Sequence, residues 1–91
     1  MRQGKRSILK HRATKSFWKA YQELNPDLQR QARKQYQLLR QNPQHASLRF
    51  KPVSKLWSAR VNDDYRALAV KRKDAFVWFW IGPHSEYDKI V

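Results

Sequence analysis

The sequence predicts an α+β fold in which an N-terminal helical hairpin packs on one face of a three- to four-stranded antiparallel sheet. Up to residue 42 the apolar side chains recur with the 3.6-residue period of helices, and from residue 47 they alternate with the two-residue period of strands. Two helices followed by consecutive strands with short polar turns give separate helical and sheet layers. With 91 residues, the chain has room for one domain.

Residues 1–13 contain many charges and few apolar side chains, so we expect a basic, mobile arm with at most a short strand around Ile8-Leu9. The folded domain should span residues 14–91. Its first helix is predicted within TKSFWKAYQEL, where Thr14 or Ser16 can cap the N-terminus. The apolar stripe of this helix consists of Phe17, Ala20, Tyr21 and Leu24.

The second helix is predicted to begin after Asn25, a favourable N-cap, with Pro26 at its first position and Asp27 near the positive end of the helix dipole. It should end at Asn42-Pro43. Because the joint between the two helices is short, they should form a hairpin on a common core. The apolar stripe of the second helix consists of Leu28, Ala32, Tyr36 and Leu39.

Four later segments are predicted as strands: LRFKPV, LWSARV, YRALAVK and AFVWFWI, with polar turns such as NDD and RKD between them. Pro52 marks the first of them as an edge strand, or else marks the end of that strand. The last is apolar on both faces, which is typical of a central strand covered on both sides. We place Trp78 and Trp80 on one face of this strand and interpret them as core residues rather than as a surface for base stacking.

The net charge of +13, from 20 Lys and Arg against seven Asp and Glu, is the strongest compositional signal. Repulsion among so many cations costs stability unless a polyanion or an acidic protein offsets it. Nucleic acid is the usual partner of so basic a domain, and a basic surface that serves only solubility is the alternative. An anionic membrane is disfavoured, because the cations are spread through the chain.

The residue content disfavours several classes of chemistry. Without cysteine there is no disulfide framework or thiolate site, and His11, His45 and His84 do not have the spacing of zinc ligands. Two glycines cannot form a Gly-rich phosphate loop, and the acids fall mostly at turns and helix starts. We therefore expect no metal and no other cofactor. Apolar runs are too short for a membrane span or a signal peptide, so a cytoplasmic protein is expected.

A set of cations and one histidine remains as a candidate site. Arg60 and Arg66 flank the NDD turn, and His84 and Tyr87 follow the last strand; in an antiparallel meander these strand ends can meet at one side of the sheet. Such a pocket suits metal-free RNA cleavage, in which the ribose 2′-hydroxyl attacks its own adjacent phosphate. Arginine can hold the phosphate through two parallel hydrogen bonds. Histidine, which titrates near neutral pH, can transfer protons.

Each of these side chains also has a purely structural interpretation. Arg66 can pair with an aspartate of the NDD turn, His84 can cap the final turn, and Tyr87 can pack against the sheet. Lys51 and Lys55, which flank the preceding strand, can be solvated. The residues alone leave both interpretations open.

The order of elements, with YRALAV and then VWFWIGPHSEYDKIV, resembles the RelE/ParE superfamily of bacterial toxins from type II toxin–antitoxin modules. The resemblance covers residues 14–91, and within the superfamily it is greatest to the cytotoxic translational repressors. It implies a small toxin that enters the ribosomal A site and cuts mRNA there without a metal. It also implies an antitoxin that covers the basic groove with an acidic or amphipathic segment. The expected partners are thus a cognate antitoxin, mRNA and the ribosome.

By position, the resemblance makes Arg66 the phosphate-binding arginine, His84 the proton-transfer histidine and Tyr87 the C-terminal aromatic residue. The chain lacks the long first strand of many members, and the ParE-like branch of the fold inhibits DNA gyrase without cleaving RNA. The three residues together favour the nuclease; a gyrase inhibitor and a non-cleaving nucleic-acid-binding protein are the alternatives. Auxiliary RNA-binding cations are expected at Lys51, Lys55, Arg60, Arg33 and Arg40.

Overall fold

The computed structural model describes residues 10–91, which form three α-helices and a five-stranded sheet, and it confirms the α+β prediction. The helices are α1 (Lys15–Gln22), α2 (Pro26–Gln41) and α3 (His84–Ile90). The strands are β1 (Lys10–Ala13), β2 (Lys51–Val53), β3 (Leu56–Arg60), β4 (Tyr65–Lys71) and β5 (Ala75–Pro83), and a 3-10 helix at Ala46–Leu48 precedes β2. In this range no helix is both long enough and apolar enough to cross a membrane.

The helical hairpin of α1 and α2 begins where the capping residues indicate. The Thr14 hydroxyl accepts a hydrogen bond from the Phe17 amide at 3.1 Å, and the Asn25 side chain accepts one from the Leu28 amide at 2.9 Å. Each bond satisfies one of the amides that the first turn of a helix leaves without a partner. Local sequence signals therefore sufficed for both helix starts.

The sheet has the strand order β1-β5-β4-β3-β2. Strands β2 to β5 form the predicted antiparallel meander, with Pro52 on the edge strand. Strand β1 adds a fifth, parallel strand beside β5, so assigning residues 10–13 to a mobile arm was wrong. The sequence of β1, KHRA, shows no alternation of apolar and polar residues, and its partner strand β5 lies near the other end of the chain. The suggested strand at Ile8-Leu9 lies outside the described residues.

The hairpin covers one face of the sheet, and the main core lies between them. Buried residues from the sheet side of this core include Ala59, Ala67, Phe76, Trp78 and Ile81. On the opposite face, which we call the α3 face, the short helix α3 contacts β4 and β5 and buries Tyr87. The sequence analysis did not predict α3, because its seven residues carry no helical apolar stripe.

A β-bulge at Phe79 puts Trp78 and Trp80 on opposite faces of the sheet, so their placement on one face was wrong. Ala69 pairs with Trp78, whereas Leu68 pairs with Trp80, which leaves Phe79 as an extra residue in β5. Neighbouring strand residues point to opposite faces, and directly paired residues share one face. Trp78 is therefore in the hairpin-side core, as predicted, and Trp80 lies on the α3 face with Leu68.

Candidate functional site

Strand register brings the candidate residues to one corner of the α3 face. Arg66 pairs with Arg60 on β3 and with Gly82 on β5, so these three form one row across the sheet. The next row contains Leu68, Trp80 and Ser58, and Ser58 pairs in turn with Lys51 of β2. The corner lies at the end of the sheet where the turn between β3 and β4 meets the start of α3.

Arg66 uses one side of its guanidinium to hold this turn. Its Nη1 donates to the backbone carbonyls of Asn62 at 2.5 Å and Tyr65 at 3.0 Å, and more weakly to that of Asp63 at 3.4 Å. No acceptor for Nε or Nη2 is found among residues 10–91, so the other edge of the fork is available to a ligand. Partial burial, together with the like charge of Arg60, lowers the pKa of Arg66, and the Tyr87 phenol opposes this effect. An anion bound at this position would offset both the burial of the Arg66 charge and its repulsion by Arg60.

Arg60 is the arginine that forms the ion pair of the turn. Its Nη2 is hydrogen-bonded to the Asp63 carboxylate, and this contact lowers the pKa of Asp63. Its Nη1 donates to the Ser47 carbonyl at 3.4 Å. The carboxylate partner proposed as an alternative for Arg66 is therefore bound to Arg60 instead. Among residues 10–91, Arg60 therefore has a carboxylate as an ion-pair partner, whereas Arg66 has none within ion-pair distance.

His84 and Tyr87 are placed by the first turn of α3. The His84 amide donates to the Asp64 carbonyl at 2.7 Å, which fixes the start of the helix against the same turn. Its side chain is 44% exposed, and its Nδ1 lies 3.3 Å from an Asp88 carboxylate oxygen. The ring centroids of His84 and Tyr87 are 5.3 Å apart, and Tyr87 is buried. Nδ1 of His84 thus lies near a carboxylate and its ring lies near that of Tyr87, whereas no partner for Nε2 is found among residues 10–91.

The predicted auxiliary cations are not all at this corner. Lys51 shares the α3 face with Arg66 but lies on the edge strand, and Lys55 is at the tip of the β2–β3 turn, about 16 Å along β3 from Arg60. Arg33 and Arg40 lie on α2, on the other side of the sheet: Arg33 donates to the Tyr21 hydroxyl at 2.6 Å, and Arg40 lies 5.7 Å from the Tyr36 ring.

Three residues of this surface were missed in the sequence. Asp88 is four residues from His84, a spacing that is informative only once α3 is recognised as a helix. Arg49 has a left-handed backbone with φ of 45° and lies close enough to lower the pKa of Arg66. Trp80 was assigned to the core, because the bulge that turns it to the α3 face has no signature in the sequence.

A cavity of about 310 Å³ lies on the hairpin side of the sheet. Its walls are mainly apolar and include Phe17, Leu39 and Trp78. Two exposed aromatic residues, Trp18 and Tyr36, also line it. Arg60 of the corner also lines this cavity, whereas Arg66 and His84 do not.

The sequence model of the ParE-like toxin domain matches residues 26–89. No curated protein sequence matches the chain. Among solved structures, YafQ from Escherichia coli BL21(DE3) is 14% identical, with a TM-score of 0.70, over 87% of this chain and 97% of YafQ. RelE of the archaeal RelE–RelB complex from Pyrococcus horikoshii OT3 is 21% identical, with a TM-score of 0.63, over 84% of this chain and 94% of that one. The YoeB/ParE toxin from Agrobacterium tumefaciens is 15% identical, with a TM-score of 0.63, over 84% of this chain and 99% of that toxin.

Proposed function

Because the chain belongs to the family of ParE-like toxin domains, we propose that it is the toxin of a type II toxin–antitoxin pair and cleaves mRNA on the ribosome, in the cytoplasm. The observation that carries the proposal is the convergence of Arg66, His84 and Tyr87 at one corner of the α3 face. That corner offers a cation with an available hydrogen-bonding edge beside an exposed imidazole.

The chemistry needs no nucleophile from the protein. The ribose 2′-oxygen attacks the adjacent phosphorus, and the bond from phosphorus to the 5′-oxygen breaks, which gives a 2′,3′-cyclic phosphate and a free 5′-hydroxyl. The Nε–Nη2 edge of Arg66 binds two phosphate oxygens and offsets the charge that grows on them. Protonated His84 gives its Nε2 proton to the leaving 5′-oxygen, and water takes the proton of the 2′-hydroxyl. Tyr87 positions His84.

The partners follow from the charge. Lys51 on the α3 face and the exposed cations at Lys55, Arg33 and Arg40 contribute to binding of mRNA and ribosomal RNA. An antitoxin with an acidic or amphipathic segment would neutralise the net charge of +13 and cover the site. Several of the solved structures with this fold are complexes, among them DinJ with YafQ from E. coli and RelB with RelE from Methanococcus jannaschii, which supports an antitoxin partner for this chain.

The test is expression of the wild type and of His84→Ala in cells, with primer extension on a reporter mRNA. We expect cleavage at codon-phased positions that is lost in His84→Ala. The matched control is His45→Gln, which changes an exposed histidine on the 3-10 turn before β2 and should cleave like the wild type. Cleavage that persists in His84→Ala would remove this residue from the mechanism.

Inhibition of DNA gyrase is the second candidate, and the ParE-like family match favours it. In that case growth arrest would occur with intact mRNA, and the purified protein would inhibit supercoiling. Absence of both effects would leave a third possibility, a nucleic-acid-binding domain that does not cleave, whose binding should not depend on His84.

A further inference from the structure

Trp80 lies on the face that carries the candidate site. The bulge at Phe79 reverses the side-chain alternation of β5, so Trp80 shares the α3 face with Arg66 and Leu68 instead of the hairpin-side core. The Phe79 carbonyl at the bulge accepts a hydrogen bond from the Ser16 hydroxyl at 2.9 Å, which ties this irregularity to the start of α1. The position of Trp80 is thus fixed by the fold.

The indole extends toward the corner occupied by Arg66. A Cβ atom built on Gly82 would lie 2.6 Å from Cζ2 of Trp80 and 3.1 Å from both Cε2 and Cη2, so the six-membered ring lies directly over Gly82. Gly82 pairs with Arg66, and adjacent strands are about 4.8 Å apart. The ring therefore ends one strand away from the arginine proposed to hold the phosphate, on the same side of the sheet.

Trp80 differs from the other tryptophans in the described range in having no aromatic partner. The ring centroids of Trp18, Trp57 and Trp78 lie 5.4, 5.0 and 6.1 Å from that of another aromatic ring. For Trp80, neither an aromatic ring contact nor an acceptor for the indole nitrogen is found among residues 10–91. It is only partly buried. A large ring of this kind beside a cluster of cations is the combination by which proteins bind single-stranded RNA: the cations bind the backbone, and the ring stacks on a base.

We propose that Trp80 stacks on a nucleobase next to the phosphate held by Arg66, and that this contact contributes to the choice of cleavage position. The inference rests on the proposed function, since it requires RNA at this face. Lys51, which shares the row of Trp80 on this face, supplies a contact to the RNA backbone. Stacking tolerates any base but favours the larger purines, so the residue affects affinity and site preference rather than the chemical step.

The test compares Trp80→Leu with Trp80→Phe. Leucine still covers the fully buried Leu68 but cannot stack, whereas phenylalanine retains a smaller aromatic ring. With a fluorescent single-stranded RNA in which every ribose is 2′-O-methylated and thus uncleavable, we expect Trp80→Leu to bind about tenfold more weakly, and Trp80→Phe within about threefold of wild type. Trp18→Leu, which changes a 51% exposed tryptophan on the hairpin side, should bind like the wild type.

Primer extension in cells provides the second readout. We expect Trp80→Leu to change the relative use of cleavage positions, while Trp80→Phe and Trp18→Leu keep the wild-type pattern. If Trp80→Leu keeps both the affinity and the pattern while His84→Ala abolishes cleavage, this inference is wrong and the proposed function stands. If the wild type neither binds nor cleaves RNA, the proposed function fails and the stacking role fails with it.

Discussion

In the proposed mechanism, Arg66 has two tasks that use different edges of one guanidinium. The Nη1 side holds the carbonyls of the β3–β4 turn, and the Nε–Nη2 edge is the one proposed to bind phosphate. Arginine can do both at once because its planar fork presents several donors in fixed directions. Lysine has the same charge but cannot satisfy both geometries, so a conservative substitution at this position is informative.

We expect Arg66→Lys to lower cleavage at least about tenfold and the free energy of unfolding by about 1–2 kcal/mol, because hydrogen bonds from a charged donor to the turn are lost. Primer extension and urea denaturation measure the two effects. Arg30→Lys is the matched control, since Arg30 is exposed on α2 and pairs only with Asp27 in the described range. Wild-type values for Arg66→Lys in both measurements would contradict the two assigned tasks.

His11 makes the stability of the molecule depend on pH. Its Nδ1 accepts a hydrogen bond from the Trp78 indole at 3.0 Å, and its ring stacks on Phe76 and Trp78. Burial, and to a lesser extent the charge of Arg40, lowers the pKa of His11 below 6.5. As the pH falls through 6.5, the unfolded chain takes up a proton that the folded chain does not, so stability is lost toward acid and is intact above this value.

The measurement is the free energy of unfolding by urea at about pH 7.5 and about pH 5.5, on either side of the ordinary histidine pKa. The wild type should lose more stability between these values than His11→Gln, which cannot titrate. His45→Gln, at an exposed histidine, should behave like the wild type. An equal loss in the wild type and in His11→Gln would show that other groups cause the pH dependence.

Among the secondary-structure elements, strand β5 determines which side chains lie at the candidate site. Its bulge turns Trp80 to the α3 face, its glycine makes room for the indole, and its end at Pro83 starts α3 with His84 at the first position. These features depend on one another, since a side chain on Gly82 would occupy the space of the Trp80 ring. The coupling between the two positions can be measured.

We expect Gly82→Ala to destabilise the protein by about 1–3 kcal/mol, because the added Cβ would lie 2.6 Å from the Trp80 ring. In the background of Trp80→Leu, whose side chain is shorter, the same change should cost at least about 1 kcal/mol less. Urea denaturation of the four proteins of this double-mutant cycle gives the coupling energy. A cost that is the same in both backgrounds would mean that the ring moves aside freely.

At the scale of the whole molecule, a net charge of +13 on 91 residues has opposite consequences for stability and for binding. Salt screens the repulsion among the cations, which favours the folded state. Salt also weakens phosphate contacts, because the release of counterions on RNA binding gains less entropy when the bulk salt concentration is higher.

Raising NaCl from about 50 to about 300 mM should therefore increase the melting temperature and lower the affinity for single-stranded RNA at least about tenfold. Differential scanning calorimetry and fluorescence anisotropy measure the two quantities. Binding of the antitoxin through mainly apolar contacts would, by contrast, lose far less affinity over the same range of NaCl concentration. A melting temperature that falls with salt would show that ion pairs, and not repulsion, dominate the surface electrostatics.

The sequence by itself determined the hairpin, the antiparallel meander and the identity of the corner residues, because each depends on neighbours along the chain. Thr14 and Asn25 cap their helices through hydrogen bonds from amides three residues further along the chain. The NDD turn joins adjacent strands, and the ending IGPHSEYD carries the resemblance to the RelE/ParE superfamily. The basic composition likewise needed no structure to indicate a polyanionic partner.

Tertiary structure alone decided the parallel strand β1, the helix α3 and the face on which Trp80 lies. Strand β1 is stabilised by Phe76 and Trp78, which lie far along the chain, and α3 forms because Tyr87 is buried against the sheet. The bulge at Phe79 is set by the register between β4 and β5. All three depend on contacts between residues distant in sequence, and a periodicity of side chains within one segment does not encode them.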